Sequence, residues 1–310
     1  MVNLIKLYKN FDIKDQHTNS IILIGNFDGV HLGHQKLFAL AKKYKKKYAL
    51  KIGVLTFEPM PKMFFNDKLK NFRISDKLQK IKLLNKLQVD FVIVKKFDRK
   101  FSKIKSTYFI KKILGKKIKP KFIFVSTNFR FGNKRKGDIR ELAKYESLCN
   151  YKMIKPKALI KNNKIVSSTL IRNYLQNGKL KEANSLLSRN WSITGKVQKG
   201  KKLGRKIGFP TANIDINDYV LAKPGVYAIK TRRQNSLKFI RGIANLGYRP
   251  TFNGKKILLE VHLFNFSGNL YNKHLTIEFL KFIREEKKFK GVDQLKKQIK
   301  IDLLLAKKIK

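Results

Sequence analysis

Residues 25–34 read GNFDGVHLGH and follow the apolar run IILI. Gly25, Gly29 and Gly33 would let a backbone approach a ligand closely. Two of the chain's five histidines, His31 and His34, stand here three positions apart. At that spacing they share one face where a helix begins. A loop that leaves a strand and opens a helix offers free backbone N–H groups and a positive dipole end, which suits phosphate. From such a place two imidazoles can donate hydrogen bonds to a phosphate whose charge grows in a transition state. Capping, surface placement and a metal site are the other readings. Zinc needs further ligands, and none stand nearby in sequence.

A second stretch, VSSTLIR (166–172), puts Ser167, Ser168 and Thr169 ahead of a helix with Arg172 one turn in. Hydroxyls at a helix start with an arginine on the same end make an anion pocket, although simple capping explains the hydroxyls equally well. The first half of the chain has neither G-x-x-x-x-G-K-[ST] nor G-x-G-x-x-G, which excludes a P-loop kinase and a dinucleotide-fingerprint dehydrogenase.

Two features of the second half also bear chemistry. GKVQKGKKLGRKIGFPTAN (195–213) is glycine-rich and basic and ends in hydroxyl and amide oxygens. Its glycines allow backbone N–H groups to curl around a phosphate, and Thr211 and Asn213 offer oxygen ligands of the kind Mg²⁺ takes. A charged turn between strands is the competing reading. In KILLEVHLFNF (256–266) a two-residue period puts Ile257, Leu259, Val261 and Leu263 on one face, with Leu258, Glu260, His262 and Phe264 on the other. Glu260 is then either a solvent-facing carboxylate or a placed base.

The elements that must hold these residues differ between the halves. In the first, apolar strand-like runs (IILIG, KIGVLTF, DFVIVKKF, KFIFVS) alternate with helical segments such as HQKLFALAKKYKK, SDKLQKIKLLNKL (with Ser75 as N-cap) and IRELAKYESLC. That alternation predicts a parallel sheet covered on both faces, with ligands at the carboxyl ends of its strands. GNFDGVHLGH lies at such an end. From SITGKVQ (192–198) onward, short strands separated by Gly, Asn and Pro turns predict an antiparallel sheet or small barrel, closed by a terminal helix, VDQLKKQIKIDLLLAKKI. The predicted boundary separates residues 1–187 from 188–310.

At 310 residues the chain can bury two cores. Its formal charge of +52, from 72 basic and 20 acidic residues, raises a nucleic-acid-binding reading. The lysines are scattered along the whole chain, in KKYKKK, KKILGKKIK and LLAKKIK among others, rather than gathered in a stripe. That distribution favours a solvated surface over a dedicated nucleic-acid face, and its positive field would still attract ATP. A single cysteine, Cys149, excludes an internal disulfide and cysteine metal clusters. The N-terminus breaks its apolar residues with charges too often for a signal peptide, and no run approaches a membrane span. A cytoplasmic protein with no membrane partner is expected.

GNFDGVHLGHQKL, TFEPMP (56–61), VSTNFRFGNKRKGD (125–138) and VSSTLIR, in this order, resemble a nucleotidylyltransferase. More narrowly, they resemble the adenylyltransferase half of the bifunctional bacterial riboflavin kinase/FMN adenylyltransferase (FAD synthetase) family. GRKIGFPTAN, KPGVYAI, NLGYRPTF, LEVHLFNF, LYNKHLTIEFLKFIREEKKF and the terminal helix resemble its riboflavin kinase module. The resemblance covers nearly the whole chain. It implies a Rossmann-like nucleotidylyltransferase domain followed by a six-stranded Greek-key barrel. It also implies ATP as co-substrate with Mg²⁺, and riboflavin, FMN and FAD as the other partners. Within the first domain, it implies that catalytic His31 and His34 bind ATP phosphates in a site with Gly25, Phe27, Asp28, Gly29, Gly33, Asn128, Ser168, Thr169 and Arg172. Flavin would lie on Phe57, Pro59, Pro61 and Phe129. Within the second, Glu260 would be the base for the riboflavin 5′-hydroxyl, and Thr211 and Asn213 would hold Mg²⁺–ATP. Gly200, Lys202, Gly204, Arg205 and Gly208 would cover the phosphates, and Arg284 would lie near the flavin.

The chain departs from the family pattern at Met60, where His is frequent, at Ser126, where Gly is frequent, and at Ser188 and Asn190 in LSRN. The first two lie in the flavin loops, so a chain with an active kinase and a relic adenylyltransferase is a further reading.

Overall fold

The computed structural model describes residues 5–200, 203–216, 218–233, 236, 238–251 and 254–309. The chain forms two compact units, Met1–Lys70 with Lys77–Ser167, and Asn71–Asp76 with Ser168–Lys310.

The first unit is built on β1 (Lys6–Tyr8), β2 (Ile21–Ile24), β3 (Ile52–Glu58), β4 (Phe91–Lys96), β5 (Phe122–Phe124) and β6 (Lys152–Ile154). They pair in parallel in the order β1-β4-β3-β2-β5-β6. Both faces are covered, so the strands are apolar nearly throughout. On one face Ile21, Leu23, Val54 and Val92 meet Phe38 and Ala41 of α1 (Leu32–Tyr48) and Leu84 of α3 (Lys77–Lys86). On the other, Ile22, Ile24, Leu55, Ile93 and Ile123 meet Phe109, Ile110, Ile113 and Leu114. Those four residues belong to Phe109–Ile118, a stretch wound with i→i+5 hydrogen bonds that continues from α5 (Ser106–Tyr108). Two single turns, α2 (Pro61–Phe64) and α4 (Arg99–Ser102), follow β3 and β4. The short helix α6 (Ile139–Lys144) precedes β6, and a small hairpin, β7 (Ile160–Lys161) with β8 (Lys164–Ile165), completes the unit.

Strand order fixes where a ligand fits. The chain lays β3 and then β4 to one side of β2, and returns to place β5 and β6 on the other. This reversal opens a crevice at the carboxyl ends of β2 and β5, the usual ligand position in such sheets. GNFDGVHLGH leaves β2 there, and STNFRFGNKRKGD leaves β5 beside it.

The second unit opens with α7 (Ser168–Gln176) and α8 (Leu180–Leu187). Its barrel comprises β9 (Ser192–Gln198), β10 (Ala212–Asp215), β11 (Gly225–Arg233), β12 (Ile240–Thr251), β13 (Gly254–Leu263) and β14 (His274–Glu285). It closes in the antiparallel order β10-β13-β12-β11-β14-β9. Strands β11–β13 run as a meander and β14 returns beside β11, a Greek key. The single turn α9 (Leu203–Lys206) lies between β9 and β10. Along β13 the expected alternation holds: Leu259, Val261 and Leu263 are buried, while Glu260 and His262 are half-buried. The terminal helix α10 (Val292–Lys307) sets Ile299, Leu303 and Ala306 against Val226, Ala228 and Ile243 of the barrel. Residues 71–76 join this unit through side chains far away in sequence. Trp191 Nε1 donates to the Ile74 carbonyl at 3.0 Å, and Arg73 Nε to the Asp218 carboxylate at 3.3 Å.

Candidate functional site

In the loop after β2, His31 is the N-cap of α1, and its Nδ1 accepts the His34 backbone N–H at 3.4 Å. A neutral His31 therefore carries its proton on Nε2. The two imidazoles stack, with centroids 3.7 Å apart and 18° between planes, and Phe27 packs its edge on His34 at 5.1 Å. His34 Nδ1 is buried and has no hydrogen-bond partner, an orphan of the kind a bound ligand satisfies. Burial first, then His31 and the Lys80 ammonium, hold the His34 pKa well below the usual histidine value. His34 is consequently a neutral imidazole near pH 7.

The loop itself is held in an uncommon conformation. Phe27 and Val30 have φ of 48° and 42°, both buried to 2 % exposure, with Asp28 buried between them. Non-glycine residues rarely enter this region, a β-branched one least of all, and they persist only where the surroundings fix them. Gly33 lets the chain pass closely here, since a Cβ there would sit 3.1 Å from both the His31 ring and the Val166 carbonyl.

Lys80 and Thr56 belong to this site and were not singled out in the sequence. Lys80 of α3 is 2 % exposed and donates to the Asn26 carbonyl at 3.3 Å and to Thr56 Oγ1 at 3.2 Å. Thr56, fully buried on β3, donates in turn to the Asn26 carbonyl at 3.4 Å. The one available signal was periodicity: Lys80 stands four residues before Leu84, on the buried face of an amphipathic helix.

The loop after β5 lines a cavity of about 500 Å³ with Asn128, Phe129, Arg130, Arg135 and Arg140. Three guanidinium groups make its lining cationic, although Arg130 also meets Asp138 at 3.2 Å. Ser126, one of the departures, donates its Oγ to Asn128 Oδ1 at 2.9 Å. Phe129 stacks near Phe131 at 5.4 Å, and Phe57 lies 5.6 Å from Phe101; Phe57 and Phe129 pack against the same core layer. Phe64 and Phe65 join Phe97 beside Phe57, an aromatic group that the reading of TFEPMP did not include. Pro61 begins α2, and Pro59 precedes Met60, which is 2 % exposed and serves as an apolar anchor.

Ser168, Thr169 and Arg172 lie in α7 and so belong to the second unit, while His31, His34 and Asn128 belong to the first. Arg172 is 9 % exposed; its Nε donates to the Phe72 carbonyl at 2.7 Å, and its guanidinium lies 3.7 Å over the Phe72 ring.

In the barrel, register decides the second constellation. Glu260 on β13 stands directly opposite Asn213 on β10 and, on its other side, opposite Asn245 on β12. Directly opposed residues have their Cβ atoms about 5 Å apart. Asn213 Oδ1 is buried without a hydrogen-bond partner, and a Cβ on Gly200 would overlap the Asn213 amide. Two residues beyond Glu260, His262 Nδ1 donates to the Pro210 carbonyl at 2.8 Å, next to Thr211. Asn245 Nδ2 approaches Glu286 at 3.5 Å, and neither residue was anticipated. Gly204 and Arg205 lie in α9, and Gly208 follows at φ 89°; Lys202 lies outside the described residues. Arg284 on β14 is 15 % exposed and holds the Asp302 carboxylate of α10 at 2.7 Å.

Comparison with known proteins adds to this geometry. The family model for FAD synthetase matches residues 13–170, and that for riboflavin kinase matches residues 187–310. A bifunctional riboflavin kinase/FMN adenylyltransferase of Buchnera aphidicola (subsp. Schizaphis graminum) is 42% identical over 300 residues, covering 96% of each chain. The Haemophilus influenzae protein of that name is 41% identical, covering 92% of each chain. The one from Escherichia coli K12 is 36% identical, covering 93% of this chain and 91% of the relative. A solved structure described as a macrolide-efflux protein from Streptococcus pneumoniae superposes with a TM-score of 0.87 at 28% identity, covering 99% of this chain and all of that one. Among the described residues here, no helix is long and apolar enough to cross a membrane.

Proposed function

Because the chain belongs to the bifunctional riboflavin kinase/FMN adenylyltransferase family, we propose how its own residues divide the two reactions. The chain phosphorylates riboflavin with ATP to give FMN, and adenylylates FMN with a second ATP to give FAD and pyrophosphate. In this division residues 1–187 carry adenylyl transfer and residues 188–310 carry the kinase.

In adenylyl transfer an oxygen of the FMN phosphate attacks the α-phosphorus of ATP, the bond to the β-phosphate oxygen breaks, and pyrophosphate leaves. No enzyme nucleophile is needed, so the protein positions the reactants and offsets charge. His31, with its proton on Nε2, and neutral His34 donate to the ATP phosphates from the start of α1. Gly25, Phe27, Asp28, Gly29 and Gly33 shape that loop, and Asn128 adds to nucleotide binding. Phe57, Pro59, Pro61 and Phe129 receive the flavin, and the arginine-lined cavity at Asn128 suits the anionic end of FMN.

In the kinase reaction Glu260 accepts the proton of the riboflavin 5′-hydroxyl as that oxygen attacks the γ-phosphorus and ADP leaves. Asn213 and Thr211 fit a hard cation through oxygen: the buried, orphaned Asn213 Oδ1 supports this. When bound, Mg²⁺ neutralises charge on the ATP phosphates. Gly200, Lys202, Gly204, Arg205 and Gly208 cover those phosphates, and Arg284 supports the flavin end. A cytoplasmic location belongs to the same reading, as does assigning the scattered lysines to solvated surface.

The observation that carries the division is the cross-strand pairing of Glu260 with Asn213, in a barrel that contains neither histidine of the β2 loop. A time course with riboflavin, ATP and Mg²⁺, resolved by chromatography, tests it. FMN rising first and then declining into FAD is expected; FMN accumulating without FAD would leave only the kinase.

A further inference from the structure

Lys80 is a lysine with 2 % exposure placed under a loop whose own residues carry no fixed positive charge. Burying an ammonium is costly unless it is hydrogen-bonded. Its bonds go to two different sheet elements, the Asn26 carbonyl beyond β2 and Thr56 Oγ1 near the end of β3. Asn26 is the residue before Phe27, where the backbone enters the left-handed region, and Thr56 donates to the same carbonyl.

We propose that Lys80 is a positioning residue for adenylyl transfer, which ties the strained loop 26–30 to β3 and α3 and fixes a positive charge behind the His31/His34 pair. This rests on the reading that the pair meets the ATP phosphates. The tie restrains Asn26, from which the turn Phe27–Val30 and the N-cap His31 follow directly in the chain. The charge acts on His34 through space, since the Lys80 ammonium adds to burial and His31 in disfavouring its protonation. The groups facing His34 are His31 from the helix start, Phe27 from the loop and Lys80 from α3; Asp28 is buried in the same loop. A preorganised cation in a water-poor site also favours the negative charge that gathers on the departing pyrophosphate.

The test uses the full chain, with riboflavin phosphorylation as the internal control for folding. Lys80→Met and the near-isosteric Thr56→Val are compared with the unsubstituted protein in FAD formation from FMN and ATP, and in the imidazole NMR titration of His34. Lys80→Met should lower kcat for FAD formation about ten- to a hundredfold, with riboflavin phosphorylation retained. The His34 midpoint should rise, and the acid limb of kcat/KM should move to higher pH with it. Thr56→Val should shift both in the same direction by less. Should Lys80→Met lose both activities, Thr56→Val decides. Unchanged FAD formation in either folded variant overturns the proposal, and so does a loss with an unmoved His34 midpoint, which marks packing alone. An unsubstituted protein that makes no FAD from FMN sinks instead the underlying reading of the first unit.

Discussion

Arg284 of β14 and Asp302 of α10 form a forked ion pair. Arg284 Nε lies 2.9 and 3.1 Å from the two carboxylate oxygens and Nη2 lies 2.7 Å from one of them. Asp302 is 1 % exposed and also receives Gln298 Nε2 at 3.0 Å. Removing one partner of a buried pair leaves the other charge uncompensated, at a cost of about 3–5 kcal/mol. Asp302→Ala should therefore reduce the unfolding free energy of the second unit by that scale, read as a lower urea midpoint. It should also weaken riboflavin phosphorylation, because Arg284 loses the carboxylate that orients it. An unchanged midpoint would mean that α10 is held by its apolar contacts alone.

Separate chemistry predicts reciprocal losses. His31→Ala should lower FAD formation from FMN by about 10²–10³-fold, the scale of removing one transition-state donor, with FMN formation from riboflavin preserved. Glu260→Ala should do the opposite. Either substitution abolishing both activities in a folded protein would contradict the division of labour. Chromatography of the two half-reactions reads both outcomes.

His34 makes stability depend on pH. Its folded pKa is lowered by burial, His31 and Lys80, so below the unfolded value of about 6.5 the unfolded chain binds more protons than the native one. The native state is then favoured fully above pH 6.5, loses stability as pH falls toward the folded value, and loses no more from this group below it. Urea unfolding from pH 8 to 5 should show that decline in the unsubstituted protein, and His34→Asn should flatten it.

Asn213→Ala should raise the Mg²⁺ concentration for half-maximal riboflavin phosphorylation about tenfold or more, because it removes the buried Oδ1. FAD formation from supplied FMN should keep its own Mg²⁺ dependence. Chelation with EDTA should abolish the kinase reaction and restoring Mg²⁺ should recover it. An unaltered Mg²⁺ dependence in the variant would remove Asn213 from the metal site.

Ser188 ends α8 at φ 54°, with its backbone N–H donating to the Asn184 carbonyl. A left-handed residue after a helix favours glycine. Ser188→Gly should stabilise the protein by about 0.5–1 kcal/mol, less what the Ser188 Oγ bond to the Leu187 carbonyl contributes. Thermal unfolding gives the sign, and a lower midpoint would show that this bond outweighs the backbone cost.

What the sequence determined by itself was local. The apolar runs and helical periods gave the order of the elements, because period two and period 3.6 are properties of neighbouring residues. The same rule separated Glu260 from Leu259 and Val261, and the three-residue spacing of His31 and His34 placed both rings on one turn. Lys80 stayed hidden because it reads as one more lysine in a basic helix; its burial depends on α3 packing over β2 and β3. The pairing of Glu260 with Asn213 is a matter of register between strands separated by a long stretch of chain. The partner of Arg284 lies on another element, and residues 71–76 join the second unit through Asp218 and Trp191. Only the tertiary structure decided these, because the free energy that buries an ammonium or opposes two strands resides in contacts between distant segments, and no short window of sequence contains both sides of such a contact.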